Sequence, residues 1–372
     1  MDNLVAAILR GKPAVWAADA GREAQARFFA TATRHSVLPL LAPQLHRAKT
    51  LEQWPATIRK PLVEATRHEV VVESLRRREL QRLHVALAAA NVRPLLMKGT
   101  ALAYLCYPDR LRPRADTDLL VRRSDVTRAT RALHTLGYRR ALQTPGELVM
   151  PQMELVKEER PGITHVCDLH VKIANPQVFA EALSYDELIT RAVDVPGLGG
   201  GARALGPVDA LLLACIHRVA HHDDCEKLLW IYDIHLLAHG MDRRTLRQFA
   251  TRAAEKRIRA VCRRGLSLAQ RWFHTEVPHD VMQALASAGA AEPSAAYVGG
   301  RLRPVDVMWS DLKAIGRWRD RWQLVREHLF PLAGYMRVRY GVSNDLLLPA
   351  LYVHRGARGA CAWLRRPQRA ER

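Results

Sequence analysis

At 372 residues, with 48% hydrophobic, 25% charged and 6% aromatic side chains, the chain has the make-up of a globular protein of two or three structural units, which excludes a disordered or fibrous chain. A formal net charge of +20 sets up a field that attracts phosphate-rich partners such as nucleotides, RNA or an anionic membrane surface, without choosing among them. Six scattered cysteines (Cys106, Cys167, Cys215, Cys225, Cys262 and Cys361) show no metal-ligand or disulfide spacing, and no window reaches the roughly 18 uncharged residues of a membrane span, so a cytoplasmic chain is expected.

Residues 1–88 are rich in Ala, Leu, Arg and Glu, with Val70, Val71, Leu75, Leu80, Leu83 and Leu87 at helical spacing, and predict a helical N-terminal region. The arginine run from Arg76 reads as a solvated helix face rather than an RNA contact. A catalytic core is expected over 89–195. It starts with a strand over 93–98, a helix over 101–107 and a second strand over 117–121. A helix follows, with Ser124 as N-cap and Gly137 on its C-cap side, then a hairpin with arms at 153–157 and 163–173 joined by a turn carrying Pro161 and Gly162. The glycine-rich stretch from Val195 to Gly201 lacks the Lys-Ser/Thr of a P-loop and the spacing of a dinucleotide fingerprint, so it reads as a flexible linker. Pro207 suits the first turn of a helical domain over 205–290, and a basic, aromatic-rich helical segment fills 291–372.

A D-x-D pair is weak by itself, but on a strand Asp116 and Asp118 share one face, about 6.5–7 Å apart along the chain. They can then converge on Mg²⁺ or Mn²⁺ while Leu119 and Val121 face the core. The alternation of the second hairpin arm sets Asp168, His170 and Lys172 opposite Cys167, Leu169, Val171 and Ile173. Asp168 is a third carboxylate able to share the metal or accept the acceptor's proton, with His170 and Lys172 on the acceptor side; an edge strand with a solvated polar face is the other reading. Lys98, Gly99 and Thr100 lie where a strand passes into a helix, a place for phosphate oxygens or merely an ordinary glycine turn with a capping threonine. Arg112 and Arg114 either bind phosphate or balance the acids.

The segments 96–103, 112–121 and 168–170 resemble the bacterial nucleotidyltransferase-like family of the DNA polymerase β superfamily. Lys98, Gly99, Arg112, Asp116, Asp118 and Asp168 fall on the family's motif positions, with Gly-Thr in place of the superfamily's usual Gly-Ser and Asp168 where family members often carry the longer Glu. Weaker likeness extends it to about residues 80–355. The resemblance implies an α+β fold, with a polymerase-β-like core of small mixed sheet and flanking helices set between helical N- and C-terminal regions. It also implies metal-dependent transfer of NMP from an NTP, ATP among the candidates, to a hydroxyl or phosphate acceptor with release of pyrophosphate. Asp116, Asp118 and Asp168 are then the catalytic and metal-binding residues, and Lys98, Gly99, Thr100 and Arg112 hold the nucleotide. A small molecule or peptide is the expected acceptor; RNA or tRNA modification of toxin type and a non-catalytic nucleotide-binding module are the alternatives.

Three further features are weighed. His217, His221, His222, Asp223 and Asp224 form a cluster without the H-E-x-x-H pattern, with His222 facing elsewhere, and read as structural, with a place bordering the acceptor side of the cleft as the other reading. Asp233, on an apolar helix, reads as a buried acid that fixes a domain junction. From Gly299 onward fifteen Lys and Arg stand against six Asp and Glu, interleaved with Trp309, Trp318, Trp322, Tyr335 and Tyr340. Helices with their tryptophans packed inward are expected there, ahead of an RNA grip or a membrane-surface helix.

Overall fold

A computed structural model describes every residue except 18, 142–151, 161, 288–291, 301, 343 and 365–372, with side chains described as far as 359; Pro161 and the side chain of Cys361 thus lie outside the described residues. Four helices lead the chain: α1 (Asp2–Leu9), α2 (Arg22–Arg34), α3 (Leu38–Arg47) and the 34-residue α4 (Ala56–Ala89). Leu62, Leu80, Leu83 and Leu87 of α4 are buried, as the periodicity predicts, but Glu69, Glu73 and Glu79 are buried with them while Val70 and Val71 stay exposed. Each glutamate meets a cation at 2.7–2.9 Å, Glu69 with Arg76, Glu73 with Arg114 and Glu79 with Lys157. Charge pairing here overrides the apolar pattern, and Arg76 is half-buried rather than solvated.

The sheet is built from β1 (Leu95–Leu96), β2 (Thr117–Leu120), β3 (Arg139–Arg140), β4 (Gln152–Arg160), β5 (Ile163–His170), β6 (Val193–Asp194) and β7 (Arg203–Ala204), in the order β3-β4-β5-β2-β1-β7-β6. It is mixed: β2 runs parallel to β5 and β1 to β7, while the other pairs are antiparallel. Helix α5 (Lys98–Leu105) connects β1 towards β2, and α6 (Val126–Thr135) follows β2. Because a short 3-10 turn at Arg123–Asp125 precedes α6, Ser124 is not its N-cap; its hydroxyl faces Asp125 Oδ1 at 3.3 Å. Gly137 takes φ +92° just past the end of α6, where a residue without a Cβ is favoured. The stretch expected as a linker joins two strands of one sheet, with Val195 N–H donating to Ala202 O at 2.8 Å between β6 and β7.

Two short helices, α7 (Gln177–Ala180) and α8 (Tyr185–Thr190), lie between β5 and β6. After β7 the chain is helical: α9 (Pro207–Ala220) starts on Pro207 at its first position, followed by α10 (Leu228–His239), α11 (Arg243–Glu255), α12 (Arg259–Phe273) and α13 (His279–Ala286). The last four are α14 (Pro304–Ala314), α15 (Trp318–Leu329), α16 (Ala333–Tyr340) and α17 (Leu348–Leu364). Strand alternation divides the core. Leu96, Leu119, Val121, Cys167 and Leu169 pack with Leu83 of α4 and Leu133 of α6, whereas Leu95, Met97 and Leu120 join the core of the helices that include α9 and α10. Asp118 and Asp168 therefore project on the side of the helical half. Among the described residues no helix is long and apolar enough to cross a membrane.

Candidate active site

The register of two parallel strands assembles the site. Asp118 stands opposite Asp168 and Leu120 opposite His170, so both acids and the imidazole come to one patch of sheet. All three are nearly sealed, at 3%, 8% and 2% exposure. His170 Nε2 lies 2.9 Å from Asp118 Oδ1, and Lys98 Nζ approaches the same oxygen at 2.6 Å. One ligand atom from each of Asp118, Asp168 and His170 lies within 4.8 Å of the others, the group among the described residues able to hold a metal ion. Asp168 Oδ1 is buried and has no hydrogen-bond partner among the described residues. Asp116 sits just before β2, outside this trio but within reach of its charges.

Burial works against every charge here, and neighbours decide the outcome. It pushes Asp118 up, yet the Lys98 ammonium and the His170 hydrogen bond prevail and hold that carboxyl well below the usual range. Asp168 has no such partner: burial, then the charges of Asp118 and Asp116, drive it up to about 7. Asp116 is raised by burial and by Asp118. His170 is lowered to about 4 by burial and Lys98, so its ring is neutral at pH 7 and fit to ligate. Two carboxylates, one of them with an unsatisfied buried oxygen, and a neutral imidazole make a donor set that fits a divalent cation.

The turn before the acids is organised differently from the sequence expectation. Lys98 opens α5 with φ +50°, a region costly for a side chain with a Cβ, and its ammonium lies on Asp118. Gly99 is needed because a Cβ there would overlap Arg112 Nη1; the close approach it permits is that of a guanidinium. Arg112, expected on phosphate, is buried, and its Nε and Nη2 donate to the two oxygens of Asp233 at 2.8 and 2.6 Å. The planar fork matches the carboxylate, and Tyr107 Oη adds a third donor at 2.7 Å. Asp233 on α10 is thus the buried junction acid that the apolar helix predicts. Thr100 places its hydroxyl 3.3 Å from the carbonyl of Asp116 and steadies the strand rather than facing the cleft. His170, expected on the acceptor side, belongs to the carboxylate cluster. Lys172 follows the end of β5, where strand alternation no longer applies, and pairs with Glu181 at 2.7 Å.

The family model described as an uncharacterised nucleotidyltransferase matches residues 22–274. The chain belongs to that family. It is a nucleotidyltransferase, and the match runs from the first residue of α2 to one residue past α12, leaving α13 to α17 outside. No curated protein matches the chain.

In this nucleotidyltransferase a pocket adjoins the acids through Lys98, which lines it together with Met97, Leu213, His217, Trp230 and the Arg112–Asp233 pair. His222 does not face elsewhere: it stacks on His217 at 4.8 Å between ring centres and on Trp230 at 3.8 Å. Burial, then Lys98, lowers His217 well below the usual value and His221 to about 3, so both rings are neutral. His217 Nδ1 and His221 Nε2 have no hydrogen-bond partner among the described residues. The sequence offers this wall only as the less favoured reading of the histidine cluster. The one-turn spacing of His217 and His221 is visible, but which face of α9 meets α5 is set by packing that no local pattern records.

Proposed function

We propose that the chain transfers NMP from an NTP to a hydroxyl or phosphate group of a small molecule or peptide, releasing pyrophosphate. The observation that carries this reading is the convergence of Asp118, Asp168 and His170, with the unsatisfied Asp168 Oδ1 among them. A divalent cation held by these residues, Mg²⁺ or Mn²⁺, with Asp116 alongside, would shield the triphosphate charge. The first amides of α5 offer donors to phosphate oxygens, and Lys98 adds a positive charge at the same end. Asp168 accepts the acceptor's proton as the new oxygen–phosphorus bond forms at the α-phosphorus and the α–β bond breaks. The pocket along His217 and Trp230 offers uncharged ring nitrogens to the acceptor. Thr100, Gly99 and Arg112 act as positioning residues: one holds the carbonyl of Asp116, and the other two lock the turn to α10. The chemistry belongs to the unit at 89–195, with 1–88 and 205–290 as helical supports and 291–372 as a further segment.

Purified protein incubated with each labelled NTP, Mg²⁺ and a cell extract should transfer label to an acceptor, and Asp118→Ala should lower that transfer by about a hundredfold or more. Absence of transfer by the wild type, or equal transfer by Asp118→Ala, overturns the proposal. An RNA acceptor is the second reading, favoured by the net charge of +20.

A further inference from the structure

The C-terminal tryptophans, expected inside, point out. Trp309 on α14 is 61% exposed, and Trp318 and Trp322 on α15 are each 66% exposed. Along α15 the residues Trp318, Trp322, Val325 and Leu329 follow one another at offsets of four, three and four, which confines them to about 60° of one helix face. The two tryptophans and Leu329 are exposed and Val325 is half-buried, while Leu324, on a different face, is the buried residue of the helix. Exposed Arg319, Arg321 and Arg326 flank the stripe. An ordinary surface helix turns its apolar stripe inward; α15 is inverted. Phe330, Leu332 and, on α16, Val338 are exposed as well. The segment has fifteen basic against six acidic residues from Gly299 on, and it lies beyond residue 274, where the family match ends.

We propose that this outward face docks on an anionic lipid surface. The arginines would attract RNA and lipid headgroups alike, so the apolar residues decide. Base stacking uses tryptophan rings but gains nothing from Leu329, Leu332 or Val338, whereas all of them gain from burial at the boundary between headgroups and acyl chains. Tryptophan suits that boundary because its apolar ring can enter while its N–H stays with the headgroups. Basic side chains beside the stripe add attraction specific to negatively charged lipid. The segment would lie on the bilayer, in keeping with the absence of a spanning helix among the described residues.

The test is co-sedimentation of the full chain with vesicles of phosphatidylcholine alone or in equimolar mixture with phosphatidylglycerol. The mixed vesicles should bind at least about tenfold more protein and shift tryptophan emission to the blue. The double substitution Trp318→Ser with Trp322→Ser should lower binding about tenfold, and so should Arg319→Glu with Arg326→Glu. Both pairs are exposed, so unchanged thermal midpoints should accompany the loss. The proposal is overturned by no binding to mixed vesicles, by equal binding of the tryptophan variant, or by capture of single-stranded RNA without vesicle binding. A self-associated state that the tryptophan variant abolishes, with no vesicle binding, also overturns it.

Discussion

Asp168 is the acid of the site that titrates near neutrality. Its carboxyl lets go of the proton at about 7 in the folded chain, because burial and two neighbouring carboxylates oppose its charge, against about 4 when unfolded. The folded state therefore binds the extra proton, and the stability this group contributes is full below about pH 4 and lost as pH climbs through 7. In the presence of a chelator, Asp168→Asn should gain in thermal midpoint over the wild type as the buffer moves from pH 5 to pH 8. A gain that is flat or shrinks over that range would contradict the assigned charge balance. Asp118 is the opposite case: its charge is compensated by Lys98 and His170, so its removal should cost stability and, on the proposed function, activity too.

At the scale of elements, the segment between α5 and β2 is pinned from two sides. Arg112 reaches α10 through Asp233, and Arg114 reaches α4 through Glu73, whose other oxygen accepts from Tyr104 Oη at 2.7 Å. Asp233→Ala would leave a buried guanidinium without its counter-charge and should cost about 3–5 kcal/mol in urea denaturation. Gly99→Ala drives a methyl group into that same guanidinium. Its cost and that of Arg112→Ala should thus fall short of additivity by about 1 kcal/mol or more in the double variant; additive costs would separate the two residues. The strand–helix–strand order, the hairpin, the shared side of Asp118 and Asp168 and the buried Asp233 were legible in the sequence, because each is a local periodicity or a polar residue in an apolar run, whereas Asp116 falls just before β2 and outside the trio. The partner of Arg112 was not, since it lies 121 positions away. Nor were the inward glutamates of α4, which look like solvated positions until the cations that meet them are known.

For the whole molecule, the positive field and the exposed C-terminal face are separable from the chemistry. A small or peptide acceptor makes few phosphate contacts, so transfer should change little between 50 and 200 mM salt; an RNA acceptor with six to ten such contacts would lose about 10³–10⁵ in affinity over that range. Rates measured at the two concentrations decide between them. The outward tryptophans escaped the sequence reading for a physical reason: helical spacing shows that a stripe exists but carries no sign for inside or outside when the other face of the helix can also be buried.

On the proposed function, the parallel pairing of β2 with β5 sets a condition on when this protein can act. His170 follows Asp118 by 52 residues, so a chain leaving the ribosome presents the first acids well before the strand that completes them. Until the β4–β5 hairpin has emerged and docked, Asp118 and Asp168 are ordinary separated carboxylates, and on the proposed function the growing chain would lack the site that consumes nucleotide. Closure of the sheet would then also be the moment the proposed site comes into being.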